Sequence, residues 1–288
     1  MYRIIKYAAI VIVLHMMVSA LTAQRRETQP VQFVKISENL YEITGGRGAR
    51  GGMYIGDDSI LFIDAKMDKA SMDQVFAGAR RLTDKPLRYL ISTHSDGDHI
   101  TGNRFFPESV TIIAHENCRV DFFRPKRDGS PSDWYKPELA PFVPSITYRD
   151  KLDLYLGSKK VELHHFGTGH TTGDTVVYFP EEDVAFVADQ YMMHRPQLIH
   201  AYKDGNSFGH VENLKKMLDV LDTDTFYNGH ADMTNRQGIL EHIVHMERRH
   251  IKVKNLISQK KNLGEIQKEF EENEAALVEI IYNEITRR

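Results

Sequence analysis

The sequence predicts an α+β protein in which two β-sheets carry helices on their outer faces. Of its 288 residues, 41% are hydrophobic and 27% are charged, which is the composition of an ordinary globular protein. Two β-rich stretches, one from residue 31 and one from residue 146, are each followed by segments with helical spacing. The net charge of -3 gives no basic surface for nucleic acid, so a small-molecule substrate is expected.

Residues 1–23 are predicted to be a secretory signal peptide. Arg3 and Lys6 precede an apolar run over 8–18, and small residues follow up to a cleavage site after Ala23. The run is shorter than the roughly 20 apolar residues of a membrane span. We therefore expect an exported protein, periplasmic or secreted, with no membrane segment in the mature form. An uncleaved N-terminal anchor is the alternative.

The first half of the mature chain alternates between strand and helix patterns. Short apolar and β-branched runs predict strands, and the glycines between residues 45 and 52 predict a flexible loop. Apolar residues at helical spacing predict helices. The predicted strands are 31–36, 40–44, 53–55, 60–64, 87–91 and 110–114, and the predicted helices are 68–82, 102–106 and 115–123.

The segment from Arg124 to Pro144 differs in composition, because five of its residues are prolines and it contains the single tryptophan, Trp134. We expect an irregular, stiff loop, either a lid or substrate wall or a simple connection. Cys118, the only cysteine, is expected to be buried and cannot form an internal disulfide. Later strands are predicted over 151–156, 160–166, 175–179, 184–188 and 225–227, and a helix over 207–221.

The predicted domain organisation is a catalytic domain over residues 24–235 and a helical segment over 236–288. Apolar residues recur at helical spacing among the many charges of this tail. We expect the tail to pack on the same domain. Its apolar residues could also pack on a second subunit, so the sequence predicts no oligomeric state.

The most informative segment is His94-Ser95-Asp96-Gly97-Asp98-His99, which places two imidazoles and two carboxylates directly after a strand. Carboxylates this close repel each other unless a cation lies between them. Imidazole and carboxylate donors together suit zinc, iron or manganese. We expect Gly97 to provide the turn that lets the donors converge. The alternative is a solvated loop with a helix N-cap at Asp98 or Thr101.

Three further donors follow apolar strands in glycine-rich contexts. They are His170 in Gly-Thr-Gly-His, Asp189 in Val-Ala-Asp, and His230 in Asn-Gly-His. Strand ends that meet at one sheet edge would bring these side chains to the first cluster. The sequence therefore predicts a centre for two metal ions.

This ordered set of motifs resembles the metallo-β-lactamase superfamily, over residues 40–230. The resemblance implies an αββα four-layer sandwich with the metals at one edge of the two sheets. It also implies two metal ions, zinc in the first place with iron or manganese as alternatives, and a bridging hydroxide as nucleophile. One ion would bind His94 and His170, and Asp189 would bridge the two. The implied ligands of the other ion are Asp98, His99 and His230.

Asp96 departs from the family's His-x-His-x-Asp-His pattern, because it stands where the second histidine is expected. Aspartate still ligates metals and adds harder oxygen character to the first site. Three roles follow, in this order of preference. In the first, Asp96 is a direct ligand of a dinuclear centre. In the second, it only neighbours the ligands and the second metal site alone is filled. In the third, it changes the metal preference of the site to iron or manganese.

Other polar residues have roles that the sequence leaves open. Asp64, Thr171 and Asp174 could hold the ligand histidines in place or cap turns. Of the paired histidines His164 and His165, one ring is expected to face inward and the other outward. Four histidines on predicted helices are expected at the surface: His115, His242, His245 and His250. Three more, with substrate contact or structure as alternatives, are His194, His200 and His210.

The expected function is that of an exported metal-dependent hydrolase, in which metal-bound hydroxide attacks an ester, lactone, β-lactam or related bond. Asp98 is the candidate catalytic residue, since it could orient the water or pass a proton to the leaving group. Asp189 resembles the bridging aspartate of glyoxalase II and the lactonases. The alternatives are an iron-dependent oxidoreductase of the same fold, similar to the persulfide dioxygenases, and a non-catalytic metal-binding protein.

Overall fold

The computed structural model describes residues 29–192 and 195–287, so the predicted signal peptide and His194 lie outside the described residues. Its strands form two sheets, one of seven strands in the order β1-β2-β3-β4-β5-β6-β7 and one of five in the order β12-β11-β10-β9-β8. The strands are β1 (Gln32–Lys35), β2 (Leu40–Thr44), β3 (Gly51–Ile55), β4 (Ile60–Ile63), β5 (Leu87–Ile91), β6 (Thr111–His115), β7 (Ile146–Tyr148), β8 (Lys151–Leu156), β9 (Lys159–His164), β10 (Val176–Phe179), β11 (Val184–Ala188) and β12 (Phe226–Asn228).

The helices lie between and after these strands. Several are single turns, whereas the C-terminal part of the chain is built almost wholly of helix. The α-helices are α1 (Lys69–Leu82), α2 (Gly97–Ile100), α3 (Glu116–Phe122), α4 (Ser207–Val220), α5 (Arg236–Ser258), α6 (Leu263–Gln267) and α7 (Ala275–Thr286). Short 3-10 turns cover Thr101–Phe105, Asp133–Tyr135, Pro137–Phe142, Ala201–Lys203 and Glu272–Glu274.

Three apolar clusters show how the layers pack. Side chains of the inner faces, such as Leu61 and Ile91 of the first sheet and Leu163 and Phe179 of the second, form one core between the sheets. The outer face of the first sheet is covered by α1, and that of the second sheet by α4, α5 and α7. The order of layers is therefore helix, sheet, sheet, helix, which confirms the αββα sandwich.

Residues 236–287 pack on the second sheet. Ile239, Ile243 and Met246 of α5 are buried in the same cluster as Val176 and Val187 of the second sheet. Asn235 begins α5, since its side chain accepts a hydrogen bond from the backbone N–H of Gly238 at 2.9 Å. Among the described residues, no helix combines the length and the apolar character that crossing a membrane would require.

Parallel pairing determines where the loops meet. Strands β4, β5 and β6 pair in parallel within the first sheet, and β11 pairs in parallel with β12 in the second. Parallel strands end at the same edge of a sheet, so the loops that follow β4, β5, β11 and β12 lie together. These loops contain Asp64 and all the predicted ligands except His170, which lies in the loop after β9. Strand β9 runs in the same direction as β11, because each pairs antiparallel with β10.

Some local predictions were wrong. The cluster of donors is not a glycine turn, because Gly97 is the first residue of α2 and a Cβ there would meet only Thr101 Oγ1, at 3.5 Å. The N-cap position belongs to Asp96, whose side chain makes no capping hydrogen bond. Gly51 and Gly52 lie in β3 rather than in a flexible loop. Residues 102–106 form part of a 3-10 turn, not an α-helix.

Candidate metal centre

The predicted ligands converge at the shared edge of the two sheets. Their ligand atoms form two groups, and within each group all ligand atoms lie within 4.8 Å of one another. Both groups combine imidazole nitrogens with carboxylate oxygens, the donor set that first-row transition metals prefer. The groups are His94, Asp96, His170 and Asp189, and Asp98, His99 and His230.

Three buried histidines point one ring nitrogen each into this space. Within the described part of the chain, the Nε2 atoms of His94, His99 and His170 have no hydrogen-bond partner, and neither has Oδ1 of Asp189. Buried polar atoms are seldom left unpaired, because each costs about 1–3 kcal/mol. Four unpaired ligand atoms in the two neighbouring groups fit bound cations, which between them would engage all four.

The other ring nitrogen of each histidine is held by the protein. His99 Nδ1 donates to Asp64 Oδ2 at 2.7 Å, and His170 Nδ1 donates to the carbonyl oxygen of Leu198 at 2.8 Å. His94 Nδ1 lies 3.1 Å from Thr93 Oγ1, whose own proton goes to Asp64 Oδ2 at 2.7 Å. A proton on Nδ1 leaves the lone pair on Nε2, so all three rings are oriented for metal binding.

Asp64 holds two of these rings through one carboxylate. It has a left-handed backbone with φ of 58°, which aspartate tolerates better than most residues. Its Oδ1 also accepts the backbone N–H of Thr93 at 2.8 Å, directly before the ligand motif. Thr171 and Asp174 do not hold His170. Asp174 instead accepts from the backbone and hydroxyl of Thr171, at distances of 2.5 to 3.1 Å, and caps the turn.

Asp189 lies between the two groups. Its Oδ1 is 3.3 Å from His99 Nε2, its Oδ2 is 3.2 Å from His230 Nε2, and Oδ2 is also 4.0 Å from both His94 Nε2 and His170 Nε2. The preceding residue, Ala188, has a φ of 47° at an irregularity in the pairing of β11 and β12. This backbone strain turns the carboxylate into the site.

His230 and Asp98 form the most open part of the centre. Their Nε2 and Oδ2 atoms are 3.3 Å apart, and the two side chains are 27% and 33% exposed. Burial lowers the pKa of His230, but its hydrogen bonds with Asp189 and Asp98 outweigh this and raise the pKa to about 9. Burial raises the pKa of Asp98, but the hydrogen bond with His230 holds it below its usual value.

Asp96 has partners that the sequence did not reveal. Its Oδ1 accepts from Lys203 Nζ at 2.5 Å and its Oδ2 from His200 Nε2 at 2.6 Å. Oδ2 is also 3.3 Å from His170 Nε2 and 3.7 Å from His94 Nε2. Burial opposes ionisation of Asp96, but the neighbouring imidazoles of His170, His200 and His94 hold its pKa far below the usual range.

Lys203 is a buried ammonium group, since its side chain is only 6% exposed. It donates to Ser95 Oγ at 2.8 Å as well as to Asp96. Burial lowers the pKa of Lys203, but the charge of Asp96 raises it above its ordinary value. No motif marks Lys203 or His200, which reach the site because their turn bonds to the carbonyl oxygen of His170 through the backbone N–H of His200, at 2.9 Å.

The other histidines that the structure describes lie outside the ligand groups. His164 is buried, and its Nε2 bonds to Glu162 at 2.8 Å, whereas His165 is half-buried and its ring stacks on His115 at 3.7 Å between ring centroids. His115 and His250 were predicted at the surface, but both are buried. Nε2 of His210 in α4 lies 3.2 Å from Nε2 of His242 in α5. Cys118 is buried, as predicted.

Comparisons with known proteins agree with this geometry. The sequence profile of the Metallo-beta-lactamase superfamily matches residues 44–230. A curated relative, the 2,4-dinitroanisole O-demethylase subunit alpha of Nocardioides sp. (strain JS1661), is 28% identical over 138 residues, which span 46% of this chain and 38% of that protein.

Two solved structures show the same fold. The metallo-beta-lactamase from Pontibacter korlensis has a TM-score of 0.63 and 14% identity, covering 75% of this chain and 99% of that one. The metallo-beta-lactamase FIM-1 from Pseudomonas aeruginosa, in its mono-zinc form, has a TM-score of 0.60 and 16% identity, covering 77% and 97%. The profile match covers more than half of the chain, so this protein belongs to the metallo-beta-lactamase superfamily.

Proposed function

We propose that the protein is a metal-dependent hydrolase with two zinc ions, acting on an ester, lactone, β-lactam or related bond of a small molecule. The observation that carries the proposal is the set of four unpaired buried donor atoms, on His94, His99, His170 and Asp189. When bound, a pair of divalent metal ions supplies a nucleophile at neutral pH and a Lewis acid for the substrate oxygen.

The chain's own residues would divide the work as follows. His94, His170 and Asp96 hold one position, His99, His230 and Asp98 hold the other, and Asp189 reaches both. Asp64 keeps His99 and, through Thr93, His94 in the ligating tautomer. Fixed ligands at a buried edge reduce the reorganisation that the reaction would otherwise require.

Asp98 is the candidate for proton transfer. Its Oδ2 lies 3.3 Å from His230 Nε2, while its side chain is 33% exposed and thus accessible to an entering substrate. A carboxylate at this place can orient the attacking water and then pass a proton to the leaving group. We expect Asp98→Asn to lower kcat by 10²–10⁴-fold, as is typical of a lost general acid–base group, with a smaller change in zinc content.

The proposed function is tested with zinc-loaded protein, metal-stripped protein and the His99→Ala variant. The substrates are p-nitrophenyl acetate, an acyl-homoserine lactone and nitrocefin. We also include 2,4-dinitroanisole, because the matched relative is named for its O-demethylation. Zinc-dependent turnover of one substrate that disappears in the variant supports the proposal. Equal rates with and without metal would contradict it.

An iron-dependent oxidoreductase is the second candidate. The observation that favours it is the first ligand group, where His94 and His170 join the carboxylate of Asp96. Two histidines and one carboxylate are the ligand set of many non-haem iron oxygenases. Iron as the main metal in protein purified without added metal, together with oxygen consumption on thiol substrates, would favour this candidate. Zinc as the main metal and no oxygen uptake would exclude it.

We also propose that the protein is exported. The support is the sequence of residues 1–23, which has the charged, apolar and small-residue regions of a signal peptide. Sequencing the N-terminus of protein recovered from the periplasm or medium tests this, and we expect it to begin at Gln24. Full-length protein that stays with the cell membrane would contradict the prediction.

A further inference from the structure

A cavity opens beside the metal centre, towards the proline-rich segment 124–144. It has a volume of about 300 Å³. Its inner wall includes Ser95, Gly97 and Lys203, which are the two sequence neighbours of Asp96 and its ammonium partner. Its outer wall includes Arg104, Trp134, Arg127 and Tyr202. A molecule that reaches the metal ligands from this side would lie against both walls.

Two guanidinium groups of this cavity have aromatic rather than acidic partners. Arg104 lies over the ring of Trp134, with Cζ 5.4 Å from the ring centroid, and Arg127 lies over the ring of Tyr202 at 4.5 Å. Arg104 also donates its Nε–H to the carbonyl oxygen of Thr101 at 3.1 Å. Among the described residues, no carboxylate oxygen lies within 4.0 Å of a guanidinium nitrogen of Arg104 or Arg127. Both positive charges therefore have no acidic partner at contact distance.

The other cations of the wall are neutralised. Lys126 pairs with Asp133 at 2.8 Å and Lys203 with Asp96 at 2.5 Å. Arg124 pairs with two carboxylates, at 2.7 Å and 2.9 Å. The positive charge that remains for a ligand therefore comes from Arg104 and Arg127. Guanidinium groups match carboxylate and phosphate oxygens in shape as well as in charge.

Hydrogen bonds and a ring contact hold the wall of the cavity in place. Arg124 Nη1 donates to the carbonyl oxygen of Tyr202 at 2.8 Å, which joins the start of the proline-rich segment to the turn that contains Lys203. Ser132 Oγ donates to the carbonyl oxygen of Phe122 at 2.5 Å, and the rings of Phe122 and Trp134 lie 4.9 Å apart. The ring of Trp134 is therefore fixed, and Arg104, which lies over it, loses little freedom when it binds an anion.

We propose that this cavity binds an anionic substituent of the substrate, a carboxylate or a phosphate, while the reacting bond lies at the metal ligands. Arg104 and Arg127 would bind the anion, and Trp134 and Tyr202 would position the two guanidinium groups. The substrate class is thus an ester, lactone or lactam that carries a negative charge. This proposal rests on the proposed hydrolytic function for the reacting bond, but its binding step can be measured without catalysis.

Trp134 provides the binding measurement, because it is the only tryptophan of the chain and lines the cavity. The full-length protein is titrated with glutarate, with inorganic phosphate and with neutral glutaramide, while tryptophan emission is followed. We expect saturable changes with the anions and none with glutaramide. Comparison of glutarate with phosphate shows which anion the cavity prefers. Equal responses to glutarate and glutaramide would overturn the proposal.

Variants separate this site from anion binding at a metal ion. Arg127→Met leaves the surroundings of Trp134 intact and is expected to weaken anion binding at least about tenfold, as is Arg104→Met. Arg88→Met is the control, since Arg88 also lies over an aromatic ring, that of Tyr89 at 5.3 Å, but it is on β5 outside the cavity and pairs with Asp58 at 3.6 Å. Unchanged titrations of Arg127→Met and Arg104→Met would contradict the proposal.

A kinetic comparison connects the cavity to the reaction. For p-nitrophenyl acetate and mono-p-nitrophenyl glutarate, we expect Arg127→Met to raise KM for the charged ester about tenfold with kcat little changed, and to leave the neutral ester unaffected. Equal effects on both esters would overturn the proposal while the hydrolytic function stands. If zinc-loaded protein hydrolyses neither ester, the hydrolytic function fails for esters, and the Trp134 titration alone decides the anion site.

Discussion

At the scale of single residues, the unusual feature is the aspartate at position 96 and its neutralisation from a distant part of the chain. Lys203 donates a hydrogen bond to Asp96 Oδ1, although the two residues are 107 positions apart in the sequence. With Lys203 and His200 bound to this carboxylate, its Oδ2 atom still lies 3.3 Å from His170 Nε2 and 3.7 Å from His94 Nε2. Lys203 thus stabilises a buried carboxylate that also faces the expected cation.

The Lys203→Met variant tests this arrangement. Removing one partner of a buried ion pair leaves the other charge uncompensated, so we expect the metal-stripped protein to lose about 3–5 kcal/mol of unfolding free energy. The loss should be smaller with zinc bound, because the metal would then neutralise Asp96. Urea unfolding with chelator and with zinc measures both values.

The control is Lys69→Met, which removes an exposed pair with Asp73, whose side chains are 70% and 59% exposed. Exposed pairs of this kind contribute about 0–1 kcal/mol, and metal should not change the effect. If Lys203→Met costs the same free energy with and without zinc, Asp96 is not a metal ligand.

Two glycines near the ligands, Gly229 and Gly97, differ in the space that is available for a side chain. A Cβ at Gly229 would lie 2.3 Å from Asp189 Oδ1 and 2.8 Å from His99 Cε1, whereas a Cβ at Gly97 would make only ordinary contact. We expect Gly229→Ala to displace Asp189 and to lower zinc affinity by 10-fold or more, and Gly97→Ala to leave it nearly unchanged. Competition with a chromophoric chelator measures both affinities, and the reverse order would contradict the geometry.

At the scale of elements, most strands and helices could be predicted because each has a strong local pattern. The strand before His94 and the helix over residues 69–82 follow from apolar spacing alone. Gly97 misled the prediction because glycine favours turns in general, yet here it begins α2. The seven ligand residues could be proposed from their motifs, but Lys203 and His200 could not, since only the tertiary fold brings them to Asp96.

The helical layer on the second sheet predicts how stability depends on pH. Burial lowers the pKa of His242 in α5 to about 4, and the charges of Arg249 and His245 act in the same direction. The unfolded chain takes up this proton near pH 6.5, whereas the folded protein takes it up only near pH 4. The unfolding free energy should therefore fall as the pH falls from 6.5 to 4.

In the His242→Gln variant, the unfolding free energy should depend less on pH over that range, because the side chain that takes up a proton on unfolding is absent. Urea denaturation at several pH values between 4.5 and 7.5 measures the slope. His245→Gln is the comparison variant: His245 is exposed on the same helix, and its charge is the weakest of the effects that lower the pKa of His242, so the slope should change much less. An unchanged slope in His242→Gln would show that His242 does not contribute to the acid sensitivity.

At the scale of the whole molecule, the site joins the two sheets. His94 and His99 follow β5 of the first sheet, whereas His170, Asp189 and His230 follow strands of the second. A metal ion bound to both sets would hold the sheets together at this edge. Binding to the folded state alone stabilises it by mass action.

Chelation should therefore destabilise the protein as a unit. We expect metal-stripped protein to melt at a temperature several degrees lower than zinc-loaded protein, in one cooperative transition. Scanning calorimetry measures this, and the His94→Ala variant should show a smaller difference. Identical melting temperatures with and without metal would contradict the role of the site in joining the sheets.

We expect seven residues of both sheets to form one centre for two metal ions. Diffraction from zinc-loaded crystals, with anomalous data on both sides of the zinc edge, would show the ions and their ligands. We predict two anomalous peaks about 3.5–4 Å apart, with Asp189 in contact with both. A single peak, or two peaks that Asp189 does not connect, would contradict the account.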